Sequence, residues 1–100
     1  MTYKGLAHIT GGGFVDNIPR ILPENVNVEI QVGTWKVPPI FQLLQEKSRV
    51  SPEELHHVFN MGIGMVAIVS PKDAVKILDK TKSWIIGSVV PGKGITKLKF

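Results

Sequence analysis

Three consecutive glycines, Gly11-Gly12-Gly13, stand near the front of the chain between His8-Ile9-Thr10 and Phe14. Glycine gives up more conformational freedom on folding than any other residue, so a run of three needs a compensating reason. If a short helix begins after Thr10, the N–H groups of Gly11, Gly12 and Gly13 point along its axis with no side chain in the way. That arrangement suits an anion. The competing reading is a tight turn into a helix, in which glycine only relieves crowding. The residues of this one stretch leave both readings open.

Composition bounds what can surround it. One hundred residues make one small domain or a piece of a larger one. A hydrophobic fraction of 43% with 20% charged residues argues against disorder. No apolar run approaches the roughly 18 residues of a membrane span, so no membrane partner is expected. The first residues lack the charged and apolar regions of a signal peptide, and a cytoplasmic location is expected. The absence of cysteine excludes disulfides and thiolate metal sites. No metal site is expected from the histidines either: His56 and His57 are adjacent, diverge by about 100° on a helix, and are expected at the surface. The net charge of +4 is mostly lysine. Lys72, Lys76 and Lys80 line one helix face without interleaved aromatics, which reads as a solvated face, and no nucleic-acid partner is expected.

Thr10 is expected to cap a short helix over residues 11–17, with Ile18 extended because Pro19 follows. Val26, Val28, Ile30 and Val32 alternate with Asn27, Glu29 and Gln31, a strand with one wet face. Trp35 is expected to cover the edge of the core. Pro38-Pro39 opens a helix through about Lys47, with Ile40, Phe41, Leu43 and Leu44 apolar. Ser51, Pro52 and Glu54 form the clearest capping signature in the chain, and Leu55, Val58 and Phe59 are expected to face the core. Asn60-Met61-Gly62-Ile63-Gly64 is a second glycine turn. In it Asn60 either caps the preceding helix or reaches a ligand, and Gly62 and Gly64 either allow close packing or line a cleft. The apolar run Met65–Val69 reads as a strand buried on both faces. Ser70-Pro71 starts a helix with Ala74, Val75, Ile77 and Leu78 inward. Residues 84–90 and 95–100 complete the set as strands about the Pro91–Gly94 turn. The order, short α-β-α-α-β-α-β-β, implies an α+β fold: a mixed, mainly antiparallel sheet with helices packed on it.

Taken together, Ala7–Phe14, Asn17–Pro23, Trp35–Phe41, Phe59–Met65 and Trp84–Gly87 resemble the C-terminal part of the aminoimidazole ribonucleotide synthetase (phosphoribosylformylglycinamidine cyclo-ligase) family of purine synthesis. Nearly the whole chain takes part, with the motifs in order. The resemblance implies a partial C-terminal domain over residues 1–100, without the N-terminal domain that supplies most of the ATP and Mg²⁺ site and the dimer interface. It implies an ATP-dependent ring closure of formylglycinamidine ribonucleotide to aminoimidazole ribonucleotide, with release of ADP and phosphate. It implies substrate or nucleotide phosphate at His8, Thr10, Gly11, Gly12 and Gly13, and a cleft lined by Asn60, Gly62 and Gly64. The catalytic residues stay unassigned.

With no P-loop and no acidic cluster of ligand spacing, the chain alone is expected to hold neither ATP nor Mg²⁺ tightly and to be inactive by itself. The expected partners are the N-terminal domain of the same enzyme, a phosphoribosyl substrate and a second copy in a homodimer, because a partial domain leaves a sheet edge uncovered. The alternative is a stand-alone, non-catalytic phosphate- or nucleotide-binding or assembly module derived from that enzyme.

Overall fold

A computed structural model describes residues 4–100. The chain is α+β, as expected, but its strands form two sheets instead of one. In the first, β1 (Gly5–His8) pairs antiparallel with β3 (Met65–Ile68), Leu6 opposite Ala67 and His8 opposite Met65. In the second, β2 (Val26–Gln31) lies between β4 (Gly87–Pro91), antiparallel to it, and β5 (Thr96–Lys99), parallel to it. The helices are α1 (Gly13–Asn17), α2 (Pro39–Ser48), α3 (Pro52–Val58) and α4 (Pro71–Lys80), with a 3₁₀ turn over Pro19–Ile21. Strand β1 was not anticipated: Gly5-Leu6-Ala7-His8 is too short to show a period, and only pairing with β3 makes it a strand.

The core gathers Ile9, Phe14, Ile18, Ile30 and Leu55, each at most 2% exposed. Burying side chains of this size stabilises the fold by about 1.5–3 kcal/mol each. Trp35 is more than an edge cover. Its ring meets Phe14 edge-on at 5.6 Å, and its indole N–H donates to the Met61 carbonyl at 3.1 Å. Helix α3 starts as its sequence requires, with the Ser51 hydroxyl accepting the Glu54 N–H at 3.1 Å and Pro52 in the first turn. Ser70 caps α4 in the same way through the Asp73 N–H.

Several expectations are corrected. Ile18 is helical (φ −67°, ψ −42°) although Pro19 follows, because the chain turns directly from α1 into the 3₁₀ turn and seats Ile18 in the core. Asn27 is on no wet face: it is buried, and its side-chain oxygen accepts the N–H groups of Lys93 and Ile95 at 2.7 and 3.1 Å, pinning the β4–β5 turn. His56 is buried, not at the surface. Its Nδ1 donates to the Pro52 carbonyl at 2.7 Å, and the ring is flanked by Trp35 and Phe100 at 6.4 and 5.3 Å between centroids. Helix α3 is thus covered on two sides, and Val58 rather than His56 is left outside, 53% exposed.

Strand β3 is not buried on both faces. Met65 is 58% exposed and shares its open face with Leu6 and His8. On α4, Val75 and Leu78 are exposed instead of inward, and Trp84 and Ile85 precede β4 as exposed loop.

Candidate functional site

Strand β1 delivers the chain through buried Ile9 into the triple-glycine turn. Thr10 does not cap α1. The N-cap is Gly12 at φ 95°, a left-handed conformation, and no side chain accepts a hydrogen bond there. The Thr10 hydroxyl instead donates to Asn17 Oδ1 at 3.1 Å. Asn17, buried beneath the turn, donates its amide to the Gly13 carbonyl at 2.8 Å and reaches those of Thr10 and Gly11 at 3.3 and 3.4 Å. Together with the Gly13 N–H on the Thr10 carbonyl at 3.0 Å, these contacts turn the acceptors of the loop inward. Among the described residues, the N–H groups of Gly11 and Gly12 have no protein acceptor.

The glycines differ in what surrounds them. A Cβ at Gly13 (φ 63°) would collide with the His56 carbonyl oxygen, so this position holds α1 against α3. A Cβ at Gly12 would meet Asp16 Oδ2 at 2.5 Å. The same carboxylate oxygen lies 3.1 Å from His57 Nε2, both side chains being about half exposed. An anion over Gly12 therefore meets a carboxylate, whereas Gly11 is exposed with nothing within 4 Å of a Cβ. His8 and Thr10 are exposed on either side of Ile9.

The second turn follows α3. Asn60 does not cap that helix; its Oδ1 accepts the Gly62 N–H at 2.9 Å, and its carbonyl accepts the Ile63 N–H at 3.0 Å. Met61 takes a left-handed φ of 56°, unusual for a residue with a side chain. Its burial and the Trp35 hydrogen bond to its carbonyl hold it there. Gly62 (φ 95°) faces the Pro38 ring, 2.5 Å from where a Cβ would sit, and Gly64 is open. The Gly64 carbonyl accepts the Ile9 N–H at 2.9 Å. Because β1 and β3 are antiparallel, the strand entering the first turn and the strand leaving the second meet at one end of their ladder, bringing the two motifs side by side.

A groove of about 420 Å³ runs from Gly62 and Gly64 between β3 and β4, with α4 as its wall. Asn60 and the triple glycine lie outside its lining. Sequence reasoning did not find this groove. The available signal was the apolar run Trp84-Ile85-Ile86, read instead as the start of a strand. Among the described residues, no three carboxylate or imidazole side chains converge on a point that would hold a metal ion. Asp16 and His57 come together as a pair.

A glycine-turned α+β unit of this kind is the C-terminal domain of AIR-synthase-related proteins. Residues 2–98 match the model of that family, and the chain belongs to it. Among curated relatives, it is 50% identical over 97 residues to the phosphoribosylformylglycinamidine cyclo-ligase of Bacillus pumilus (strain SAFR-032) and 52% identical over 97 residues to that of Bacillus mycoides (strain KBAB4). Each alignment covers 92% of this chain and 28% of the relative, so the chain spans little more than a quarter of the length of the relatives it matches.

Proposed function

We propose that the chain is the C-terminal portion of an ATP-dependent phosphoribosylformylglycinamidine cyclo-ligase and forms one wall of its substrate–nucleotide cleft. The observation that carries this reading is the identity of 50–52% over nearly the whole chain, both glycine turns included. In the proposed reaction, ATP phosphorylates the formyl oxygen of formylglycinamidine ribonucleotide, a nitrogen of the substrate closes the imidazole ring on the activated carbon, and ADP and phosphate leave. The part of this chain is to hold and orient. The free N–H of exposed Gly11, with Thr10 and His8 beside it, receives a phosphate of substrate or nucleotide. Each such charge-assisted hydrogen bond contributes about 1.5–3 kcal/mol. Gly62 and Gly64 border the neighbouring groove. ATP with its Mg²⁺ is held chiefly by the N-terminal domain of the ligase, which is the partner this reading requires. The assembled enzyme is a cytoplasmic homodimer.

The test is complementation. The chain is mixed with the separately produced N-terminal portion of the Bacillus pumilus relative, and formylglycinamidine ribonucleotide, Mg²⁺ and ATP are supplied. ADP release that needs both proteins is the expected result. Phosphate-ligand binding to the chain with no turnover in the mixture would overturn the ligase reading in favour of a stand-alone binding module.

A further inference from the structure

The second sheet has an open edge at β5. This strand pairs with β2, and the carbonyls of Ile95 and Lys99 accept the N–H groups of Val28 and Val32 at 3.0 and 2.9 Å. Backbone groups alternate in direction along a strand, so Thr96 and Leu98 turn theirs away from β2, and among the described residues no further strand meets them. A crevice of about 440 Å³ follows this edge. Residues 97–100 line it in unbroken succession, and Val15 of α1 with Glu53 and His57 of α3 form its other side. Successive side chains of a strand point to opposite faces, so a crevice that touches every one of them meets the strand along its edge. The two faces differ in chemistry. On the inner face Thr96 is buried, Leu98 is half-buried, and the Phe100 ring lies 5.3 Å from that of His56. On the outer face Lys97 and Lys99 are exposed. Lys99 lies 3.6 Å from Glu29, and among the described residues no carboxylate pairs with Lys97.

We propose that β5 and this crevice take up an extended segment of a partner protein, alternating acidic and apolar residues, as a further strand of the second sheet. Thr96 and Leu98 supply main-chain donors and acceptors, which give strand addition its affinity. The side chains then select the sequence. On the outer face, carboxylates beside Lys97 and Lys99 form cross-strand pairs of opposite charge. On the inner face, apolar side chains meet Val15, Leu98 and Phe100, and Glu53 disfavours a second carboxylate there. Charge also disfavours a second copy of the chain. Two β5 strands paired antiparallel with Thr96 and Leu98 inward would set lysine against lysine, and edge lysines guard a sheet against its own copies. The net charge of +4 acts in the same direction. A strand residue occupies about 160 Å³ at spacings of roughly 4.8 Å between strands, 3.4 Å along them and 10 Å between layers, so the crevice takes roughly three residues. That is room for one apolar side chain between two carboxylates. The site lies at the opposite edge of the sheet from β4, and the proposal does not depend on the cyclo-ligase reading.

The experiment uses the 100-residue chain and two capped synthetic peptides, one alternating glutamate with valine and one with lysine in place of each glutamate. The glutamate peptide is expected to slow deuterium exchange at the Thr96 and Leu98 amides about tenfold or more. Its affinity should fall severalfold as salt rises from about 0.05 to 0.3 M, and the lysine peptide should bind about tenfold more weakly or worse. Lys97→Glu, at an exposed position, should keep the melting temperature and reverse the preference between the two peptides. No binding of the glutamate peptide at millimolar concentration, equal binding of the two peptides, or protection confined to β3 and β4 overturns the proposal. Protection of Thr96 and Leu98 in the chain alone, with dimerisation, assigns the edge to a second copy and also overturns it. So does protection of those amides by the separately produced N-terminal portion of the Bacillus pumilus relative, which would assign the edge to the ligase itself.

Discussion

In the first glycine turn an asparagine donates, and in the second an asparagine accepts. Asn17 places its amide under the carbonyls of Gly13, Gly11 and Thr10, and among the described residues the N–H groups of Gly11 and Gly12 have no acceptor. Asn60 does the reverse: its side-chain oxygen takes the Gly62 N–H, removing a donor from the second turn. Two turns that look alike in composition therefore use their asparagines in opposite senses. In the first the side chain gathers the carbonyls of the loop, and in the second it takes up the Gly62 N–H. Each turn also divides its glycines between two tasks. Gly13 and Gly62 are required by their neighbours, His56 and Pro38, and Gly11 and Gly64 are open.

The comparison can be broken most directly at Gly13. Gly13→Ala sets a methyl group against the His56 carbonyl at a left-handed φ, and backbone on both sides resists moving. A loss of about 4 kcal/mol or failure to fold is expected in chemical denaturation. A loss below about 1 kcal/mol would show that the contact between α1 and α3 yields freely. Asn17→Ala leaves a buried set of carbonyls without their donor and should cost about 2–3 kcal/mol in the same measurement. It should also release the loop, seen as faster amide exchange at Gly11–Gly13. Gly62→Ala is strained in φ, but its clash is with a proline ring that can shift, so a smaller loss of about 1–2 kcal/mol is expected.

The smallest changes separate binding from folding. Gly11→Ala and Gly64→Ala meet nothing within 4 Å and should each alter stability by less than about 0.5 kcal/mol. In the complemented mixture, Gly11→Ala is expected to raise the KM for the phosphorylated ligand severalfold, and Gly64→Ala to leave it unchanged. Equal effects at the two positions would erase the distinction between the turns.

Much of the fold was legible because its signals are short-range. Ser51-Pro52-Glu54 and Ser70-Pro71 announce helices through residues three apart, and α3 and α4 begin there. The alternation of Val26, Val28 and Ile30 places β2 in the same way. What failed to show depended on distant partners. His56 belongs to the core because Trp35 and Phe100 flank it, Asn27 is buried because the β4–β5 turn folds back onto it, and β1 exists because β3 lies beside it. The expected cap at Thr10 failed because α1 begins at Gly13 with Gly12 at its N-cap, while the Thr10 hydroxyl donates to Asn17, seven residues on.

By itself, then, the sequence determined where the chain turns and where α3 and α4 start, since these follow from local backbone sterics and capping. Only the tertiary structure decided which backbone groups of the two glycine motifs are left free, and that β3 and β4 border a common groove. Hydrogen-bond accounting and edge exposure are properties of neighbours brought together by folding, and no window of the chain contains them.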